Sequence, residues 1–308
     1  MHRIAVIGAG QFGQNHIRVV RQSPRADLTA VVDLDPARAA LTDFHDLAGK
    51  IDAAIVATPT SAHAEIGYWL LEHGIDVLAE KPIAPDLESA DRLVAAAESH
   101  ARILQVGHLE RFNPAVIALE GRVTLPLFFE IHRLSVFSPR SLDVDVILDL
   151  MIHDIDIVLS LIGAEPEEIR GAGVSILSSK VDIANVRLQF PNGCVANLTA
   201  SRVSTERVRK LRLFQPQQYI SLDYARQELL VFSVDDGRQV AFEPVPVAKA
   251  EPLQLQFDAF LDSVETRKSP KTSGLRARQT LRIALAILDK IEEHSEIVSK
   301  SLAGGWKL

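Results

Sequence analysis

Hydrophobic and polar positions along the chain follow two patterns that meet near residue 118. In the first, short apolar runs alternate with segments whose apolar residues recur at helical spacing. Ile4 to Ile7, Leu28 to Val32, Ile51 to Ala57, Ile75 to Ala79 and Ile103 to Val106 read as strands. A helical pattern follows Gly13, and residues 60–73 and 86–100 read as further helices. Strands separated by helices of this length predict a parallel, doubly wound sheet. Beyond a helical stretch at 113–120, strand-like runs at 126–136, 167–178, 181–190, 193–200, 207–214, 217–223, 228–234 and 238–243 take over. Their short turns, Pro191-Asn192-Gly193 and Asp235-Asp236-Gly237, predict a mainly antiparallel sheet. A long apolar segment at 146–162 interrupts them, and helices are expected at 252–267 and 275–294. The expected fold is α/β: a Rossmann domain over 1–118, then an α+β domain with a large, open, mainly antiparallel sheet over 119–308.

The first turn reads Gly8-Ala9-Gly10-Gln11-Phe12-Gly13. Gly8 permits a tight turn, Gly10 lets the backbone approach a pyrophosphate, and Gly13 lets helix and strand pack closely. The helix start then offers free N–H groups to phosphate oxygens. Asp33 lies 20 residues after Gly13 and ends the second apolar run. A carboxylate there can hydrogen-bond the adenosine ribose 2′-hydroxyl. Leu34 follows it, with no Arg or Lys adjacent to pair a 2′-phosphate, which favours NAD over NADP. Ligands of such sheets bind outside the carboxyl ends of the strands. That places Thr58-Pro59-Thr60, His63, Glu80-Lys81-Pro82 and Gly107 to Asn113 on the same rim as the glycine turn. The expected cofactor-binding set is therefore Gly8, Gly10, Gln11, Phe12, Gly13, Asp33, Leu34, Thr58, Pro59, Thr60, His63, Glu80, Lys81 and Arg111.

Two places carry candidate chemistry. Pro82 stiffens the turn that bears Lys81, and a lysine there can orient a substrate hydroxyl and favour its alkoxide. An exposed loop lysine is the alternative. The run from Leu148 to Asp156 puts Asp149, His153, Asp154 and Asp156 into an otherwise apolar helix. Asp149 and His153 are four residues apart, share a helix face, and suit a carboxylate-oriented general base. A core histidine satisfied by Asp149, a pair of metal ligands, or Asp156 paired with an arginine are the competing readings.

Composition narrows the class. The 308 residues suffice for two cores, and a net charge of -7 disfavours nucleic acid as a partner. The basic run Arg202, Arg207, Arg209, Lys210 and Arg212 is either a solvated strand or a contact for phosphate or a neighbouring subunit. The lone Cys194 excludes an internal disulfide. No apolar run reaches the roughly 18 residues of a membrane span, and the chain starts directly with its first strand. A cytoplasmic protein without membrane partners is the expectation.

Taken together, GxGxxG, an acid at the second strand end, Glu-Lys-Pro, and Asp-x-x-x-His on a later helix resemble the Gfo/Idh/MocA oxidoreductase family. The resemblance implies that Lys81, Asp149 and His153 are the catalytic residues of an NAD-dependent sugar dehydrogenase. It also implies a homodimer or homotetramer built through the C-terminal sheet. The stretch Gly107-His108-Leu109-Glu110-Arg111-Phe112-Asn113-Pro114 resembles the branch that oxidises the 3-position of UDP-N-acetylglucosamine, with His108, Asn113, Arg140 and His153 as substrate contacts. A free sugar or inositol is the alternative substrate, and a non-catalytic dinucleotide-sensing regulator is the alternative class. One departure stands out. Only residues 34–50 separate Asp33 from the next strand, where relatives usually have a longer helix and another strand, so the Rossmann half looks trimmed.

Overall fold

The first apolar run forms β1 (His2–Ile7), and α1 (Gln11–Gln22), β2 (Ala26–Val32), β3 (Ala53–Val56), α2 (Thr60–Glu72), β4 (Asp76–Ala79), α3 (Leu87–Ser99) and β5 (Leu104–Val106) follow. Then come α4 (Pro114–Glu120), β6 (Phe128–Val136), α5 (Ile152–Ile162), β7 (Glu168–Val174), β8 (Ile183–Gln189), β9 (Val195–Ser204), β10 (Val208–Gln215), β11 (Gln218–Asp223), β12 (Glu228–Val234) and β13 (Val240–Val245). Helices α6 (Pro252–Thr266) and α7 (Gly274–Ala303) end the chain. The computed structural model describes residues 1–137, 144–234 and 239–303, so Arg140 and the turn at 235–237 lie outside the described residues.

Two units result. The first holds residues 1–112 and 250–281, and the second holds 113–249 and 282–308. The expected boundary at 118 did not foresee the return of residues 250–281. A parallel sheet needs both faces covered, and α6 supplies part of that cover. Its Leu253, Phe257, Phe260, Leu261 and Val264 share one core with Ile4, Val6, Ile17, Val20 and Ile55. The sheet of this unit has five strands in the order β2-β1-β3-β4-β5, all parallel. After β2, residues 34–50 hold no further strand or α-helix, only a 3₁₀ turn at Phe44–Leu47 and a single bridge between Val32 and Leu41. In that turn Phe44 stacks on His45, both meet Trp69 edge to face, and Trp69 stacks on His73.

The second unit is an eight-stranded sheet in the order β13-β12-β11-β10-β6-β9-β8-β7. Every neighbouring pair is antiparallel except β6 with β9. One face builds the core with α4, α5 and the later turns of α7, through Phe129, Ile131, Leu198 and Leu211 against Val116, Ile155 and Ile287. The alternate residues face the other way. There Phe128, Phe214, Tyr219, Phe232 and Phe242 form an aromatic ladder across the strands, with centroids 4.9 to 5.9 Å apart. Strand β7 stops at Val174 instead of 178. The buried Asp182 carboxylate accepts the backbone N–H groups of Ile176, Leu177 and Ser178 and pulls that segment into a loop. Among the described residues no helix is long and apolar enough to cross a membrane.

Candidate active site

The glycine turn ends β1 for steric reasons that differ at each position. Gly8 has φ +93°, and a Cβ there would sit 2.6 Å from the Ala57 carbonyl oxygen. A Cβ on Gly13 would come within 1.8 Å of the Gly8 oxygen. At Gly10 nothing lies within 4 Å of that position. Two glycines therefore let the protein pack on itself, and the third leaves space.

Around that space the polar groups are left open. Helix α1 starts at Gly10 with no side-chain cap and no acid in its first turn, and α2 starts at Pro59 in the same way. By contrast, Asp86 caps α3 through the Ser89 N–H, and Glu88 sits in its first turn. The buried Thr58 hydroxyl has no hydrogen-bond partner among the described residues. Uncapped helix starts, an orphaned hydroxyl after β3 and the open space at Gly10 suit a dinucleotide pyrophosphate. The Asp33 carboxylate accepts the Ala9 N–H at 2.6 Å and the Asp35 N–H at 2.9 Å. An ionised carboxylate offers about four lone-pair sites, so capacity for a ribose hydroxyl remains. Leu34 is 89% exposed, and Arg38, the nearest following cation, pairs with Asp35 at 3.2 Å.

At the end of β4 the Glu80-Lys81-Pro82 turn is tied into the same unit; its Lys81–Pro82 peptide is cis. The Glu80 carboxylate lies 2.9 Å from His16 Nε2 and accepts the Lys81 N–H at 3.3 Å. It fills the space in front of Gly107, where a Cβ would be 2.7 Å from it. Both His63 ring nitrogens are 2.9 Å from carbonyl oxygens, those of Thr58 and Pro82. The Glu80 and His63 side chains, expected to touch the cofactor, are thus bonded within the protein's own frame. Lys81 is half-buried, whereas His108 and Arg111 are buried, and the Arg111 carbonyl accepts Lys271 Nζ at 3.0 Å. Sequence reasoning missed His16. The available signal was a histidine on the apolar face of α1, next to the buried Ile17.

The second unit carries Asp149 and His153. The expected uninterrupted α-helix is corrected here: Ile147–Met151 form a π-helical turn, and α-helix begins only at Ile152. The two residues therefore lie on either side of a change in helical pitch. Both are half-buried: Asp149 between half-buried Leu148 and Leu150, and His153 between fully buried Met151 and Ile152 and the buried run Asp154 to Val158. The entry to the turn is anchored: the Val146 N–H donates to the Val181 carbonyl at 3.0 Å, and the Asp145 carboxylate accepts the Val181 N–H at 2.8 Å. The Arg202 guanidinium donates to the Val144 carbonyl and approaches Asp182 at 3.6 Å. Although burial opposes ionisation, the backbone N–H groups and Ser178 hydroxyl that converge on Asp182 lower its pKa to about 2.

The remaining acids and bases sort into scaffold roles. Asp154 accepts two hydrogen bonds from Arg133, at 2.7 and 2.8 Å, with both side chains 2% exposed, and the guanidinium lies over the Tyr224 ring. An arginine pairing weighed for Asp156 is thus made by Asp154. Asn113, an expected substrate contact, caps α4 through the Ala115 N–H and donates to the Tyr224 carbonyl. In the basic run Arg212 pairs with Glu130 at 2.9 Å, and Lys210 is exposed. Burial pushes the Cys194 thiol up to about 11.

Residues 2–108 match the family described as "Oxidoreductase family, NAD-binding Rossmann fold", and residues 126–217 match the "GFO/IDH/MocA C-terminal domain". The chain is 34% identical over 306 residues to the UDP-N-acetylglucosamine 3-dehydrogenase of Acidithiobacillus ferrooxidans, spanning 94% of this chain and 97% of that one. The chain belongs to the Gfo/Idh/MocA oxidoreductase family. A solved structure of that dehydrogenase, GnnA, superposes with a TM-score of 0.90 over 95% of this chain and 98% of its own. The inositol 2-dehydrogenase of Rhizobium meliloti is 24% identical over 96% of this chain and 98% of its own. Within the Gfo/Idh/MocA frame the first unit is an NAD-binding Rossmann domain, and the relatives include sugar and inositol dehydrogenases.

Proposed function

We propose that this protein is an NAD-dependent dehydrogenase of a nucleotide sugar, acting on the C3 hydroxyl of UDP-N-acetylglucosamine. The observation that carries the reading is the 34% identity, along 94% of the chain, to an enzyme of that name. Gly8, Gly10, Gln11, Phe12, Gly13, Thr58, Pro59 and Thr60 hold the dinucleotide, and Asp33 beside the uncharged Leu34 selects NAD over NADP. Bound NAD supplies the acceptor for the hydride that leaves C3.

The protein's own residues handle the proton and the oxygen. His153 takes the hydroxyl proton as general base, so the C3–OH becomes a ketone as its hydride departs. Lys81 donates a hydrogen bond to the same oxygen and stabilises its developing negative charge. Asp149 sets the tautomer and orientation of the His153 ring. His108, Arg111 and Arg140 are assigned to ligand contacts, whereas Asn113 is left to the fold. We assign a cytoplasmic location and a homodimer or homotetramer built on the sheet face that bears the aromatic ladder, an apolar strip that water contact disfavours.

The test is reduced-nicotinamide formation with NAD and UDP-N-acetylglucosamine, UDP-glucose, glucose or myo-inositol, using a trap for the keto product. Activity confined to UDP-N-acetylglucosamine is expected. Activity only on free sugar or inositol would overturn the substrate, and NAD binding without any turnover would favour a dinucleotide-sensing regulator.

A further inference from the structure

We infer that His16 and His63 are positioning residues that clamp the Lys81 turn from both sides. The inference rests on the reading of Lys81 as a catalytic residue, and the observations behind it all lie within the first unit. Lys81 stands between Glu80 and Pro82, and each neighbour is held by one buried histidine. His16, on α1, is 0% exposed, and its Nε2 is 2.9 Å from the Glu80 carboxylate. His63, on α2, is 1% exposed, and its Nδ1 is 2.9 Å from the Pro82 carbonyl.

The clamp has a back wall and a tether. Glu80 cannot retreat, because its carboxylate already fills the place a Gly107 Cβ would take. The same carboxylate accepts the Lys81 N–H, so fixing Glu80 fixes the backbone of the lysine itself. The other nitrogen of His63 faces the Thr58 carbonyl, which couples the turn after β3 to the turn after β4. A carbonyl or carboxylate only accepts, so His16 must present an N–H to Glu80, and a neutral His63 ring donates to one of its two carbonyls according to its tautomer. Both rings are buried and bonded to protein acceptors. Neither is placed to touch a ligand, and their effect on the reaction passes through Lys81. Displacing a catalytic group by about 1 Å costs on the order of 100-fold in rate.

The experiment compares His16→Phe and His63→Phe, which keep a flat ring but lose the donor, with His16→Gln and His63→Gln, which restore an N–H. Turnover of UDP-N-acetylglucosamine, the NAD dissociation constant, and the acetylation rate of Lys81 by acetic anhydride, read by mass spectrometry with Lys271 as internal control, are measured for each. We expect the Phe variants to lose about 10- to 100-fold in kcat, with NAD affinity retained and Lys81 acetylated faster relative to Lys271. The Gln variants should recover part of both losses, and in a Lys81→Met background either Phe change should cost nothing further. Unchanged kcat, a loss of NAD affinity matching the loss of kcat, or full additivity with Lys81→Met would overturn the clamp. If Lys81→Met itself turns over normally, the reading of Lys81 fails, and faster acetylation in the Phe variants still decides for the clamp while unchanged acetylation decides against it. Should a Phe variant not fold, His→Asn, which shortens the reach of the donor, carries the same comparison.

Discussion

Buried polarity is handled differently at the glycine-turn rim of the first unit and in the interior of the second. In the first, the strand ends leave groups open: helices α1 and α2 begin without side-chain caps, and the buried Thr58 hydroxyl has no partner among the described residues. In the second, buried charge is closed on itself. Arg133 and Asp154 pair through two hydrogen bonds, and Asp182 collects three backbone N–H groups. Burying an unpaired polar group costs free energy, so the open set is tolerated where a ligand completes it and the closed set marks scaffold. Where hydrogen-bonding capacity is left over is a better guide to the cofactor than where charge accumulates.

That contrast can be broken in five ways, taken from the largest expected effect. His153→Ala should lower kcat by about 100- to 10,000-fold while NAD binding, followed by titration calorimetry, stays intact. Loss of both would mark His153 as scaffold. Arg133→Met should cost about 3 to 5 kcal/mol by denaturant unfolding, because it strands a buried carboxylate, and adding Asp154→Leu should restore most of it. Gly13→Ala should lower the melting temperature, since its Cβ meets the Gly8 carbonyl, whereas Gly10→Ala should leave melting unchanged and weaken NAD binding.

Asp182→Asn should cost about 2 kcal/mol at neutral pH. The folded pKa of about 2 lies below the ordinary value of 3.8, so this contribution is full above about pH 4 and is lost as pH falls toward 2. A stability difference between wild type and variant that persisted at pH 2 would refute the assignment. The smallest effect belongs to Asp33→Ser, which should narrow the preference for NAD over NADP by about 1 to 2 kcal/mol, the scale of one hydrogen bond to a charged group. Its measure is the ratio of the two dissociation constants.

Much of this was legible in the sequence, because the signals were local. Apolar runs, glycine spacing and turn residues recovered every strand, and Gly8-Ala9-Gly10-Gln11-Phe12-Gly13 announced its turn by composition alone. What escaped depended on partners distant in the chain. Nothing near Asp149 signals a π-helical turn, whose entry is anchored by hydrogen bonds between residues 144–146 and the distant Val181 and Arg202. Likewise the sequence does not show that Asn113 donates to the Tyr224 carbonyl or that His63 faces the Pro82 carbonyl, partners far away in the chain. The return of α6 to the first unit was hidden for the same reason: its apolar stripe says that it packs, not on which sheet.

The central claim is hydride transfer from C3 of UDP-N-acetylglucosamine, and the most direct measurement uses that substrate deuterated at C3. The account predicts that the reduced nicotinamide carries the deuterium, as read by mass spectrometry. Reduced nicotinamide formed without the label would contradict it.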